Sequence, residues 1–438
     1  MLNKKQTYDI AFTLDERLPF SQACFVAFQH VLAVLIPIVA PIVVICNALH
    51  FDIQTTSYIV SMNLIFSGIG TFIQAKRIRN IGSGLLSVQG TSSAFIIPLI
   101  IAGREGGLPL IFGLCFLGAL FQVAASFLLR FTRKIFPPLV VGILVTIIGI
   151  SLIKISIFDC LNEGNFVSNP TKNLLLAFIV VFTIAVSYVA KNKYFRACSI
   201  IIAIGIGYLM SFLLGISDYH QLHNTLNGVP IFNFPMIFRF GFNLRFTHLI
   251  PIILIYLLTV IESIGDLTAT SLISQEPIVG KIYSNRIFGG VLGSGINSIF
   301  VSIFGGFPLT TFAQNNGIIQ ITGVASRYIG VFIAVILILC GLFPALSAFL
   351  SLMPKPVLGG VTLVMFGTIA AYGIKIISLG EINQRELIIM ALSFGLGFSL
   401  TFYPEILNYF PRSIQEIFSS SITIGGMTAV LLNLILPK

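Results

Sequence analysis

Twelve apolar stretches of membrane-spanning length follow one another along this chain, with almost no charge inside them. A helix needs about twenty apolar residues to cross a hydrocarbon layer about 30 Å thick. The stretches near 22–46, 57–75, 108–129, 135–156, 172–190, 197–214, 247–272, 286–304, 328–350, 356–376, 385–402 and 418–436 meet that length. Two more segments, 85–102 and 308–323, are short and interrupted by polar residues, so the expected total is fourteen with the third and tenth broken. Charged residues make up 9% of the chain and the mean hydropathy is +1.00, against about 25% charged in a soluble domain. So few charges cannot cover a water-soluble fold, and the reading is an all-α polytopic membrane protein. Residues 1–20 are polar and mixed in charge, without the apolar core and cleavage site of a secretory signal, so the mature protein is expected to begin at Met1.

Charge placement orients the spans, because Lys and Arg concentrate in cytoplasmic loops. With the N-terminus inside, 18 of the 25 basic residues fall in inside segments. The outside segments hold Arg104, Lys154, Lys172, Arg239, Arg245, Lys355 and Arg412. An even number of spans with both termini cytoplasmic fits this bias. The net charge of +10 has the same origin: the basic residues stand in short loops beside apolar spans, not in a stripe, so no nucleic-acid partner is expected. Six cysteines (Cys24, Cys46, Cys115, Cys160, Cys198, Cys340) are scattered without a CxxC or Cys/His cluster, which points to neither a disulfide framework nor a metal site.

An internal repeat divides the chain. Pro138, Gly142 and Gly149 recur as Pro356, Gly360 and Gly367, each displaced by 218 residues. The broken segments, Ser87–Ser93 and Thr310–Gly317, stand third of seven in their respective halves. Seven is odd, so the halves enter the membrane in opposite orientation, the mark of an inverted-topology transporter with its site at the midplane where broken helices expose backbone groups. The expected organisation is an N-terminal cytoplasmic segment 1–21, a first repeat 22–214, a connecting loop 215–246 and a second repeat 247–438.

The polar residues inside spans are few. Glu262 and Asp266 are the only acids there, four apart on one face of the eighth span, and Gly265 beside them suggests a close approach by another backbone. An acid at that depth can bind and release a proton as its surroundings change, coupling proton movement to that of a solute; the alternative is a structural pair bonded to broken-helix backbone. Gln29 and His30 interrupt the first span, where histidine either relays protons or bonds to a facing helix. His248, His50, His220 and His223 are expected at surfaces or interfaces. Gln314 and Asn315 open the second half of the tenth segment. An amide offers one acceptor and two donors, and a half-helix N-terminus adds free N–H groups. With Glu262 accepting from a ring N–H, the implied ligand is small, flat and hydrogen-bonding on several edges; the alternative is a polar helix interface. No stacking residue is singled out among the 40 phenylalanines.

These residues resemble the nucleobase–ascorbate (nucleobase–cation symporter 2) family. Gln314-Asn315-Asn316-Gly317 followed by Thr322 and Gly323 fits its tenth-segment signature at every defined position, Glu262-Ser-Ile-Gly-Asp266 resembles its eighth-span motif, and Gln29-His30 its first-span pair. The likeness extends to Gly82–Ser92 and Gly359–Ala371, and within the family it is nearest the bacterial xanthine:proton symporters. The resemblance implies fourteen spans in two inverted repeats, a core of spans 1–4 and 8–11, a gate of spans 5–7 and 12–14, a homodimer, and the bacterial inner membrane. It implies substrate binding by Glu262, Gln314 and the Ala313 backbone, with Ser92 from the matching third-segment run, and supporting or proton-coupling roles for Asp266, Asn315 and His30. Relatives carry an Asp where Gly293-Ser294-Gly295 stands, so either Ser294 performs a hydroxyl version of that role or coupling rests on Glu262 and Asp266. An aromatic expected near Ser93 is absent, with Phe95 close by.

The expected function is import of xanthine with a proton, needing no cofactor beyond the proton gradient. Uric acid or a broader range of nucleobases is the nearest alternative, and an inorganic anion carrier of the same architecture a remoter one. An enzyme is disfavoured by the lack of a metal cluster, nucleophile–base pair or nucleotide loop. A passive channel leaves the paired carboxylates without a purpose.

Overall fold

The computed structural model describes residues 10–127, 137–161, 169–190, 199–216, 232–245, 248–278, 280–312, 314–343, 345, 348–349, 352–378, 380–409 and 421–437. Helices α1 (Phe20–Ala48) and α2 (Ile53–Lys76) are followed by strand β1 (Gln89–Thr91), a 3-10 turn (Ser93–Phe95) and α3 (Ile96–Phe127). The first half closes with α4 (Pro138–Leu161), α5 (Pro170–Val189) and α6 (Ser199–Leu213). The second half runs α7 (Leu249–Ile273), α8 (Gly280–Ile303), β2 (Leu309–Thr311), α9 (Gln314–Thr322), α10 (Tyr328–Leu342), α11 (Lys355–Ile377), α12 (Gln384–Phe402) and α13 (Ser421–Ile435). Among the described residues eight helices are long and apolar enough to cross a membrane, and three shorter apolar helices accompany them. Several of the expected fourteen segments are thus described over less than a spanning length.

Local chemistry sets the boundaries. Asp52 caps α2 by accepting from the Thr55 N–H, and Asn169 caps α5 from the Thr171 N–H with Pro170 at the first helical position. The expected third and fourth spans meet at Gly107, whose φ of 63° and ψ of −161° interrupt α3 just before Pro109. That backbone lies in the region glycine adopts without strain.

The helices pack as two groups. α1, α2, α3, α7, α8, α9 and α10 surround the strands, while α4, α5, α6, α11, α12 and α13 pack on one another, with sparse contact between the groups. In the second group α4 lies against its repeat mate α11. An added Cβ at Gly149 would collide with the Ala370 backbone, and one at Gly142 would lie 2.5 Å from Ile377 and 2.8 Å from the Gly373 carbonyl. Their repeat counterparts are not equivalent: Gly360 faces Ala177 and Val180 of α5, and Gly367 has open space beside it. The outer face of α5 exposes Leu174, Leu175, Phe178, Phe182 and Val186, an apolar surface suited to lipid.

Two straps cap opposite ends of the first group. Residues 11–17 run along the turn after α9: the Ala11 and Phe12 N–H groups donate to the Gly323 carbonyl, Ala325 N–H to Phe12, and Arg327 N–H to Leu14. Arg327 pairs with Asp15 at 2.7 Å. At the other end the connector between the halves is laid down firmly, Asn233, Phe238 and Asn243 N–H groups donating to the Leu342, Ile303 and Pro109 carbonyls. His248, expected at a surface, is buried there, its Nε2 2.7 Å from Glu105.

Candidate functional site

The two broken segments meet in the middle of the first helix group. β1 and β2 pair antiparallel in the register Gln89↔Thr311, Gly90↔Thr310, Thr91↔Leu309. These short strands are the one departure from an all-helical reading among the described residues. Backbone left unpaired at membrane depth costs several kcal/mol, and cross-pairing satisfies it: beyond the ladder, Ser92 N–H donates to Pro308 and Phe312 N–H to Val88. Immediately after each strand a helix begins, the 3-10 turn into α3 on one side and α9 on the other. Because the strands are antiparallel, the two helix N-termini converge, with their partial positive charge, on one region.

A polar lining grips this strand pair. Along α2, Asn63, Ser67, Thr71 and Gln74 form a buried stripe. Asn63 donates to Thr91 Oγ1 and the Phe307 carbonyl and accepts from Phe307 N–H, at 2.9, 3.0 and 2.9 Å. Gln89 N–H donates to Thr71 Oγ1. Gln74 donates to the Gly290 carbonyl and to Ser294 Oγ, and Ser294 donates to Gln89 Oε1 at 3.2 Å. On α8, Ser298 holds Leu309 through both its N–H and its carbonyl.

The predicted site residues fall around this centre. Asp266 on α7 is buried and accepts from Thr311 Oγ1 at 3.1 Å. Its backbone carbonyl accepts from Thr270 Oγ1, which also donates to Asn316 Oδ1. One turn earlier, Glu262 is half-buried and has no hydrogen bond or ion pair to a described residue. Gly265 beside it is exposed, and nothing lies within 4 Å of an added Cβ; the same holds for Gly317 on α9. Gly265 leaves room for another backbone, but among the described residues none approaches it and the space beside it is open.

Gln314 is the first residue of α9; its side chain, and Ala313 entirely, lie outside the described residues. Asn315 is buried and donates to the Leu86 carbonyl at 2.6 Å, while its Oδ1 is unpartnered among the described residues. His30 is fully buried beside Asn315, and neither ring nitrogen has a well-formed hydrogen bond there. Ser92 is buried at the start of the 3-10 turn, which its side chain does not cap. Phe95 is packed edge-on against Tyr256, with ring centroids 4.7 Å apart, so its ring is occupied within the core. The fold thus brings Ser92, Asp266, Ser294, Asn315 and His30 to the strand pair, and Glu262 stands one helical turn before Asp266 on α7.

A family model described as a permease family matches residues 21–406. The chain is 40% identical to the xanthine permease XanP of Escherichia coli over 99% of its own length and 96% of that relative's. The match to the xanthine permease XanQ of the same organism is also 40%, over 98% and 94%. This chain belongs to the nucleobase–ascorbate permease family. The permease is accordingly a multi-pass membrane transporter and not an enzyme. Its fold also matches solved structures of remote sequence. The transmembrane domain of the cyanobacterial bicarbonate transporter BicA aligns with TM-score 0.61 at 17% identity, over 97% of this chain and 100% of that one. SLC26A9 aligns with TM-score 0.63 at 11% identity, over 95% and 66%. These two show that the permease has the same inverted-repeat architecture.

Residues that the sequence reasoning did not single out, Asn63, Thr71, Gln74, Gln89, Ser298 and Thr311, form most of the described lining that holds the permease's strands. The stripe Asn63, Ser67, Thr71, Gln74 was the available signal, since polar groups at helical spacing inside a span face a bundle interior.

Proposed function

We propose that the permease imports a purine nucleobase, foremost xanthine, together with a proton across the bacterial inner membrane, with both termini cytoplasmic and the chain acting as a homodimer. The observation that carries this reading is the placement of Glu262. Its half-buried carboxylate stands without a hydrogen bond or ion pair among the described residues, one turn from Asp266, which is bonded to Thr311 at the end of β2. A flat base has N–H groups for a carboxylate and carbonyl groups for amide and backbone donors, so Glu262 receives a ring N–H while Gln314 and the Ala313 backbone engage the opposite edge, with Ser92 bounding the site. The permease relatives whose names specify xanthine support the choice of purine. An inorganic anion has no use for an unpaired acid at its binding point.

Asp266, held by Thr311, and Asn315, held by the Leu86 carbonyl, keep α7 and α9 in register with the strands. His30 and Ser294 support the same centre. Proton binding at Glu262 and Asp266 couples to substrate, and the first helix group moves as a core against the second as a gate, their sparse contacts allowing rocking about a fixed site. No cofactor enters beyond the proton gradient.

The test is uptake of radiolabelled xanthine into proteoliposomes. Saturable uptake that collapses with a protonophore is expected; uptake indifferent to the proton gradient refutes coupling. Glu262→Gln and Gln314→Ala are each expected to abolish or greatly weaken uptake with membrane insertion intact. Normal uptake by both removes the site assignment. Competition by uric acid, guanine, hypoxanthine and uracil ranks the ligands.

A further inference from the structure

A cavity of about 350 Å3 opens between the N-terminal strap, α1 and the far end of α9. That volume falls in the range of small-molecule pockets, about 300–1,000 Å3. Among the described residues its lining includes Phe12, Phe25, Gln22, Gln29, Ser21 and Thr322, and none of the described lining residues is charged. We infer that this cavity is a second binding site for the purine base, a vestibule the solute occupies between the central site and the cytoplasm. The inference rests on the transport reading above.

Three features argue for it. The lining matches the ligand's chemistry: aromatic rings offer faces to a flat heterocycle, amides and hydroxyls answer its edges, and the described lining residues, all uncharged, suit a neutral solute over an anion. The walls are set in advance. Phe12 is fixed by Phe12 N–H to Gly323, Ala325 N–H to Phe12, and the nearby Asp15–Arg327 pair. Leu14 of the same strap is buried in a cluster with Leu85, Val260, Ile264 and Leu267. The cavity also lies on the route from the centre. Gln29 lines it while the next residue, His30, sits beside Asn315. Thr322 closes the same helix that Gln314 opens, and the eight steps between them span about 12 Å at about 1.5 Å per residue. One purine does not reach across that length, so the two positions are separate sites.

The experiment is substituted-cysteine protection in full-length protein carrying Cys24→Ser. Ser21→Cys is labelled with a water-soluble maleimide in detergent, with and without xanthine, first in that background and then with Glu262→Gln or Gln314→Ala added to disable the central site. Xanthine is expected to slow labelling severalfold in all three proteins. Gln22→Ala is expected to raise the half-protecting concentration about three- to tenfold, the factor for one neutral hydrogen bond. Protection that disappears with both central-site variants, while each remains monodisperse, overturns the vestibule, because Ser21→Cys then reports only central occupancy. Xanthine uptake by the Ser21→Cys, Cys24→Ser protein without protection overturns the vestibule and leaves the transport reading standing. Absence of xanthine uptake by the unsubstituted permease overturns both.

Discussion

Replacing Asn63 by leucine tests whether the strand pair is what holds the binding centre together. The side chain makes three hydrogen bonds of 2.9 to 3.0 Å, one to Thr91 at the end of β1 and two to Phe307 just before β2. Leucine keeps the branched shape, with a somewhat larger volume, and removes all three. Each neutral bond contributes about 0.5–1.5 kcal/mol net, and each buried group left unpaired costs about 1–3 kcal/mol. Phe307 is fully buried and would lose its side-chain partner for both N–H and carbonyl. Together these give a penalty of about 3–6 kcal/mol, with part recovered by relaxation. Such a penalty favours states in which the strands separate, and apparent affinity falls by the fraction of molecules in the competent state. A residual bias of only about 1.4–3 kcal/mol weakens binding about ten- to hundredfold. Equilibrium binding of labelled xanthine to purified protein, with thermal unfolding alongside, reads both effects. Asn63→Asp, which keeps the acceptor for Phe307 N–H, should retain more affinity than Asn63→Leu. Wild-type affinity and thermal stability in Asn63→Leu would refute the reasoning, because the strands would then be held by other contacts.

Further outcomes follow from the same geometry. Gly90→Ala places a methyl 2.5 Å from Phe312 Cζ and 2.8 Å from Ile38; overpacking of this kind costs about 1–3 kcal/mol, so lower thermal stability and reduced uptake are expected. Gly265→Ala meets no neighbour and gains about 0.5–1 kcal/mol of helix preference, so stability should hold or rise while xanthine affinity falls as the methyl enters the open space; unchanged affinity would place the solute elsewhere. Asp15→Asn breaks the contact to Arg327, but Asp15 is 70% exposed and such pairs contribute at most about 1 kcal/mol, so the xanthine uptake KM should stay within about twofold, and a larger change would show that the strap depends on that charge.

Much of this molecule is legible in its sequence because a membrane leaves few options. Apolar length marks most of the helices, and Gly106-Gly107 with Pro109 marks the break in α3. The paired interruptions at Ser87–Ser93 and Thr310–Gly317 locate the centre. What escapes is tertiary. Three-residue strands carry no periodicity, so nothing in Gln89-Gly90-Thr91 announces a partner at Leu309–Thr311. Gly265 could equally make room for a neighbouring backbone or for a solute, and only packing separates the two. His248 has the composition of a surface residue and is buried because Glu105, far away in sequence, comes to meet it. The stripe from Asn63 to Gln74 is readable in principle, yet its partners Thr91, Ser294 and Phe307 belong to other elements.

The cross-pairing of β1 with β2 also bears on how the chain is made. A ribosome adding about 5–20 residues per second completes β1 roughly ten to forty seconds before its partner strand exists, since Thr311 lies some two hundred residues after Gln89. Until then the third segment lacks its ladder partner, although Gln89 N–H can already reach Thr71 Oγ1 on α2. It must wait in the translocon, in a chaperone's care or at the lipid headgroups. The halves are therefore sewn together at their middle by a late-made seam, and a chain cut within the connector should regain its binding centre only when both pieces are produced in the same cell.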